Sequence, residues 1–157
     1  MLAWPEWFGA KQANREEILT AVDTLHPFPC FIELRRASWV DGEAAEETFA
    51  FLEEHGLSFV CVDEPQDPNA PLPSIVTATA PQAMLRLHGR NTENWMRRDL
   101  SNSERVRYLY TDDELRQWAE RIRELCRQTT TMHVLFANTW QDFAVHNAAT
   151  LITMLSE

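Results

Sequence analysis

Positive charge is scarce in this chain: 14 lysines and arginines face 24 aspartates and glutamates, for a formal net charge of −10. Non-specific binding to nucleic acid runs mostly on counterion release by clustered basic residues, so generic attraction to a phosphate backbone is disfavoured and any anion site must be local. Cysteine is scarce as well. Cys30, Cys61 and Cys126 are odd in number, far apart and without C-x-x-C spacing. That argues against a disulfide framework or a zinc knuckle, and for reduced core thiols in a cytoplasmic protein. Neither H-x-H nor H-E-x-x-H occurs, so no metal site is expected. No apolar run approaches the roughly 20 residues that span a bilayer. The opening "MLAWPEWFGAKQ" has no basic n-region or long apolar h-region, and the expectation is neither export nor membrane insertion. Internal repeats and low-complexity tracts are also missing.

What is present is the balance of one globular domain spanning residues 1–157, with 45% hydrophobic and 24% charged residues. Four segments carry helical periodicity. Asn14 is placed to cap a helix built on Ile18, Val22 and Leu25, and Asp41 one built on Ala45, Phe49 and Leu52. Thr111 with Glu114 makes a capping-box signal ahead of the stripe Leu115, Trp118, Ala119, Ile122, Leu125. The last helix uses Ala144, Asn147, Ala148, Leu151, Ile152 and Leu155. Between them lie "CFIELR", "SFVCVD", "AMLRLH" and "MHVLFAN", runs of strand character too short for buried helices. Such alternation implies parallel strands with crossover helices, hence an α/β sheet or barrel. Residues 64 to 81, "EPQDPNAPLPSIVTATAP", hold five of the eight prolines and are expected to replace one crossover helix by an ordered loop. A second long loop, residues 92 to 107, is a candidate for binding function.

Side chains alternate along a strand, so each run divides into two faces. In "CFIELR" Cys30, Ile32 and Leu34 oppose Phe31, Glu33 and Arg35; in "MLRLH" Leu85 and Leu87 oppose Met84, Arg86 and His88. In "SFVCVD" the set that ends ionisable is Phe59, Cys61 and Asp63. Parallel α/β folds place ligands at the carboxyl ends of their strands. The stretch "MLRLHGRN" therefore looks like a strand running into a site, with Gly89 letting the backbone turn close to a ligand. Glu33, Arg35 and Asp63 are expected to converge there with Arg86 and His88.

The motifs "FIELRRASW", "VCVDEP", "LRLHGRN" followed by Trp95, "YLYTDDEL" and "FANTWQDFAVHNA" resemble the YecE-like proteins, domain-of-unknown-function family 72, in the family's order and over nearly the whole chain. The resemblance implies a TIM (β/α)₈ barrel with a polar pocket at its C-terminal mouth, and brings no established reaction. It carries the family's pocket pattern to Glu33, Arg35, Trp39, Asp63, Arg86, His88, Gly89, Arg90, Asn138 and Asn147. The chain departs from it at Ala137, where the family usually has asparagine. A complete barrel takes about 250 residues. The resemblance therefore implies a partial (β/α)₈ barrel, strands about four to eight with their helices, with "MLAWPEWFG" as the fourth strand and its exit.

Two open sheet edges then call for self-association or a partner chain. Glu33, Arg35 and Arg86 are either an internal ion-pair network or ligand contacts. His88 is a general acid or base, a metal ligand or a hydrogen-bonded core imidazole. Arg86 and Arg90 beside Gly89 suit a phosphate or carboxylate. Trp39, Trp95 and Trp140 offer stacking surfaces or cover a core.

The expectation is a small polar or anionic ligand, phosphorylated or sugar-like, held by Arg35, Arg86 and Arg90. Trp39, Gly89, Asn91, Trp95, Asn138 and Asn147 lie around it, and Glu33, Asp63 and His88 move protons. The cofactor is unknown. Nucleic acid at the barrel mouth, and a non-catalytic remnant or split-barrel subunit, are the alternatives.

Overall fold

Residues 1–66 and 73–157 are described in a computed structural model of the chain. Short apolar runs supply five strands: β1 (Leu2–Ala3), β2 (Phe31–Glu33), β3 (Ser58–Asp63), β4 (Gln82–Leu87) and β5 (Thr131–Phe136). They pair in chain order, β1-β2-β3-β4-β5, and every pair is parallel. The helices are α1 (Gln12–Leu25), α2 (Glu43–Glu54), α3 (Asn102–Arg105), α4 (Asp112–Cys126) and α5 (Phe143–Ser156). This is an α/β fold with a five-stranded parallel sheet, consistent with a TIM-barrel-like arrangement.

The sheet curls. Phe31 on β2 meets His133 on β5 edge-on with ring centroids 5.3 Å apart, although three strand spacings separate those strands, about 14 Å in a flat sheet. The inner face is therefore concave, with Phe31, Val60, Met84 and His133 inside it. The helix side carries Ile32, Phe59, Cys61, Leu85 and Leu87, all fully buried. Phe59 there packs edge-on against Phe49 of α2.

Register overturns one face assignment. Ile32 sits beside Phe59, Val62 beside Arg86, and Asp63 beside Leu87. In β3 the inward set is thus Ser58, Val60 and Val62, while Asp63 points to the helix side. From Phe59 to Val62 both sets of "SFVCVD" are apolar, so alternation alone gives no sign of which set faces inward.

Local signals held unevenly. The Thr111 and Glu114 capping box forms at the start of α4, whose Leu115, Trp118, Ala119, Ile122 and Leu125 are all buried. Asn14 does not cap α1. Lys11 holds that position, and the Asn14 amide lies inside the first turn, donating to the Gly9 carbonyl at 2.7 Å. Asp41 does not cap α2 either, because Gly42, at φ 55°, takes the position in a backbone region that favours glycine. On α5 Asn147 and Leu151 are buried, but Ile152 is 65% exposed and faces out.

Between β3 and β4 the described residues 64–66 and 73–81 form no helix; residues 67–72 of the proline-rich stretch lie outside the described residues. Thr79 anchors this connection to the start of β3, its hydroxyl donating to the Leu57 carbonyl and accepting from the Phe59 amide. Residues 92–107 are not wholly irregular. Ser101 and Glu104 form a second capping box that starts α3.

Candidate functional site: an arginine-lined pocket on the inner face

At the carboxyl ends of β2, β4 and β5 the concave face opens into a cavity of about 310 Å³ lined by Arg35, Arg86, His88, Trp95, Asn102 and Arg105, with Val106, Ala137 and Thr139 completing the wall. Glu33 lies beneath it, 1% exposed, and ties two of the arginines: Arg86 Nη1 is 2.6 Å from Oε2 and Arg35 Nε is 3.8 Å from Oε1. A buried carboxylate needs such compensation. Both guanidinium groups keep part of their surface open, with side-chain exposures of 26% for Arg86 and 34% for Arg35. The third, Arg105, donates from Nε to the Trp95 carbonyl at 2.8 Å, which sets α3 against the loop that carries Trp95. Three arginines against one carboxylate leave the pocket positive in an acidic chain.

His88 is 8% exposed and packs edge-on against Trp95, centroids 5.7 Å apart. Its Nε2 has no hydrogen-bond partner among the described residues. Burial, reinforced by the charges of Arg86 and Arg35, lowers its pKa from 6.5 to about 3. The imidazole is therefore neutral at pH 7.

A second polar cluster occupies the helix side. Arg90 grips Asp63 with two nearly parallel bonds, Nε to Oδ2 at 2.9 Å and Nη2 to Oδ1 at 3.0 Å, and reaches Glu114 at 3.1 Å. Tyr110 donates its hydroxyl to Asp63 at 2.7 Å and accepts from the Gly89 amide at 2.8 Å. Tyr108 donates to Glu114 at 2.7 Å. Burial and the neighbouring Asp63 push the Tyr110 phenol far up, and burial with Glu114 raises Tyr108 to about 12. Arg90 is pushed up too: burial opposes its charge, but the Asp63 hydrogen bonds and carboxylates outweigh it.

Asn147 closes this cluster from α5. It accepts from the Tyr110 amide, donates to the Tyr110 carbonyl and accepts from Asn138, which also donates to the Tyr108 carbonyl. This network braces the long loop before α4, although the Asn138 Oδ1 has no partner among the described residues.

Of the residues expected at one rim, Glu33, Arg35, Arg86, His88 and Trp95 are brought together. Asp63, Arg90, Asn138 and Asn147 fall in the second cluster, because Asp63 and Asn138 share the outward parity of Leu87 and Phe136. Gly89, at φ +92°, turns close to Tyr108 rather than to open space: a Cβ there would lie 2.6 Å from the Tyr108 Cβ. Asn91 closes its own loop, accepting from the Asn94 amide and donating to the Arg107 carbonyl. Trp39 is fully buried away from the pocket, its Nε1 donating to the Phe8 carbonyl at 2.7 Å and its ring stacked on Phe8. Trp140 lies under the Arg107 guanidinium, 5.0 Å from its ring centroid.

Sequence reasoning missed Asn102, Arg105 and Thr139. The S-x-x-E signal at Ser101 announced α3 and hence the placing of Asn102 and Arg105; nothing local marked Thr139. Among the described residues no group of three His, Cys, Asp or Glu side chains is arranged to hold a metal ion, and no helix is long and apolar enough to cross a membrane.

Comparison with known proteins agrees with this architecture. The chain is 31% identical over 159 aligned residues to the UPF0759 protein YunF of Bacillus subtilis, covering 99% of this chain and 56% of that protein. It superposes on a DUF72 family protein from Thermotoga maritima with TM-score 0.86 and 35% identity, over 99% of this chain and 56% of the other. It also superposes on one from Enterococcus faecalis with TM-score 0.91 and 27% identity, over 99% and 57%. The chain thus spans little more than half the length of these relatives. The family described as "Protein of unknown function DUF72" matches residues 1–157, and the chain belongs to that family.

Proposed function

We propose that this chain is strands four to eight of a TIM-barrel domain and that its inner pocket binds a small anionic ligand of the phosphorylated or sugar-like kind. One observation carries the binding reading: three arginines and an unpartnered His88 Nε2 surround a cavity of about 310 Å³ in a protein of net charge −10. The volume is at the small end of ligand pockets, and Trp95 gives it an apolar wall. Arg35, Arg86 and Arg105 have the forked donor geometry that suits phosphate or carboxylate. Glu33 holds two of them in place. His88 is the proton-handling side chain of the pocket; Asp63, on the far side of the sheet, serves the brace around Tyr110.

The test is calorimetric titration of the chain with inorganic phosphate, a small sugar phosphate and the matching free sugar. Phosphate and sugar phosphate are expected to bind, and Arg35→Ala and Arg105→Ala each to weaken them about tenfold or more, the worth of one charged hydrogen bond. Both variants leave the short Glu33–Arg86 bond intact, so folding is preserved. No binding of any anion overturns the reading. A single-stranded oligonucleotide is expected not to bind even at low salt; binding that falls steeply with salt would favour the nucleic-acid alternative instead.

A second reading rests on the sheet edges. Thr131, His133 and Leu135 of β5, all on its inner face, are exposed, and β5 pairs with β4 alone among the described residues. We propose that further strands, from the same polypeptide or another, cover this edge.

A further inference from the structure

Resting on the anion-site reading above, we propose that the pocket takes a dianionic, phosphate-type group and that His88 is its proton partner. As the anion enters between the arginines, Nε2 takes up a proton from solvent and donates it in a hydrogen bond to an anion oxygen.

Three features of the site support this. The first is the orphaned Nε2, on a side chain that is 8% exposed and lines the cavity. A buried polar atom without a partner costs free energy unless a ligand or water supplies one. The second is the balance of charge around the imidazole. Arg86 on β4, Arg35 beyond β2 and Arg105 on α3 are cationic, and the one carboxylate, Glu33 on β2, is already engaged by Arg86 and Arg35. The remaining wall, Trp95, Asn102, Val106, Ala137 and Thr139, carries no charge. The arginines therefore repel a proton from Nε2, and a bound dianion cancels that repulsion while placing an acceptor oxygen beside it. The third is number: three guanidinium groups against one carboxylate balance two negative charges, not one.

The low pKa of the imidazole has burial as its largest cause, followed by the charges of Arg86 and Arg35, and it is these two charges that a dianion would neutralise. By linkage, a ligand that raises a group's affinity for a proton binds more tightly as pH falls.

The experiment uses sodium sulfate, whose double charge does not change between pH 5 and 8, so any proton taken up belongs to the protein. Calorimetric titrations at pH 6 in buffers of different ionisation enthalpy count that proton. Uptake approaching a full proton per sulfate is expected, with affinity rising close to tenfold per pH unit lost. His88→Gln, which keeps an amide donor near the Nε2 position, is expected to bind sulfate with no uptake and a flat affinity between pH 5 and 7.5. Nitrogen-15 spectra of the histidines in the unmodified protein give a second readout: one imidazole should pass from neutral to protonated when sulfate is added at pH 6.

Sulfate binding without proton uptake, or uptake that persists in His88→Gln, overturns the role of His88 and leaves the anion site standing. Failure of both sulfate and phosphate to bind overturns the site and this proposal together.

Discussion

His88 is the residue at which burial has the clearest consequence. Its folded pKa, about 3, lies below the ordinary value of 6.5, so between those values the unfolded chain binds a proton that the folded chain refuses. Stability is therefore fully present above pH 6.5 and declines as pH falls toward 3. A shift of this size corresponds to at most about 5 kcal/mol, at about 1.4 kcal/mol per pH unit. Chemical denaturation between pH 6.5 and 4.5 should show a loss of about 2 kcal/mol that is missing in His88→Gln; equal slopes for both proteins would show that His88 does not carry the effect.

Gly89 makes a different prediction. Alanine there must hold φ +92° and place its Cβ 2.6 Å from Tyr108. The expected cost is about 2–4 kcal/mol, from backbone strain plus displacement of a packed ring. Urea unfolding reads it directly. Glycine's freedom at this strand end was legible in the sequence, but which neighbour approaches it was not.

At the scale of elements, the long connection from His88 to Thr111 is held by α5. Asn147 reproduces, with one side-chain amide, the paired donor and acceptor a neighbouring strand would offer Tyr110. Asn147→Ala orphans a buried amide and carbonyl, and should cost about 2–4 kcal/mol. Protection of the Tyr110 amide in hydrogen exchange should fall with it. Arg90→Ala strips the bidentate partner from Asp63, which is 1% exposed, and should cost about 3–5 kcal/mol. Sulfate binding in the folded fraction should be unaffected, since neither residue lines the inner pocket; a matching loss of sulfate affinity would tie the two clusters together.

Helix α4 was legible down to its cap, because a capping box and a five-residue stripe are local signals. The caps of α1 and α2 were not: Lys11 and Gly42 took those positions through backbone geometry that composition does not announce. Ile152 follows the helical period of α5 yet points outward.

At the scale of the molecule, the parallel order of all five strands follows from alternation of strand and helix, and Arg86 and His88 lie at the carboxyl end of β4. The curl of the sheet brings Phe31 to His133 and leaves the inner residues of β5 exposed. An edge of this kind pairs with other strands unless something blocks it. On that basis the chain is expected to self-associate with rising concentration in sedimentation measurements, and Leu135→Lys to shift it toward monomer. Sedimentation unchanged by concentration would remove the edge argument.

By itself the sequence determined what depends on near neighbours along the chain: the alternation of elements, the α4 stripe and its cap, and the gathering of arginine and histidine at one strand end. Tertiary structure alone decided how the polar residues divide. Alternation says that Asp63 and Val62 face opposite ways, but only the register of β3 against β4 says which of them faces Arg86. A shift of one residue exchanges every side chain between the two faces, and that choice rests on contacts between distant segments. For this reason one expected rim became two sites, an open pocket around His88 and a closed brace around Tyr110.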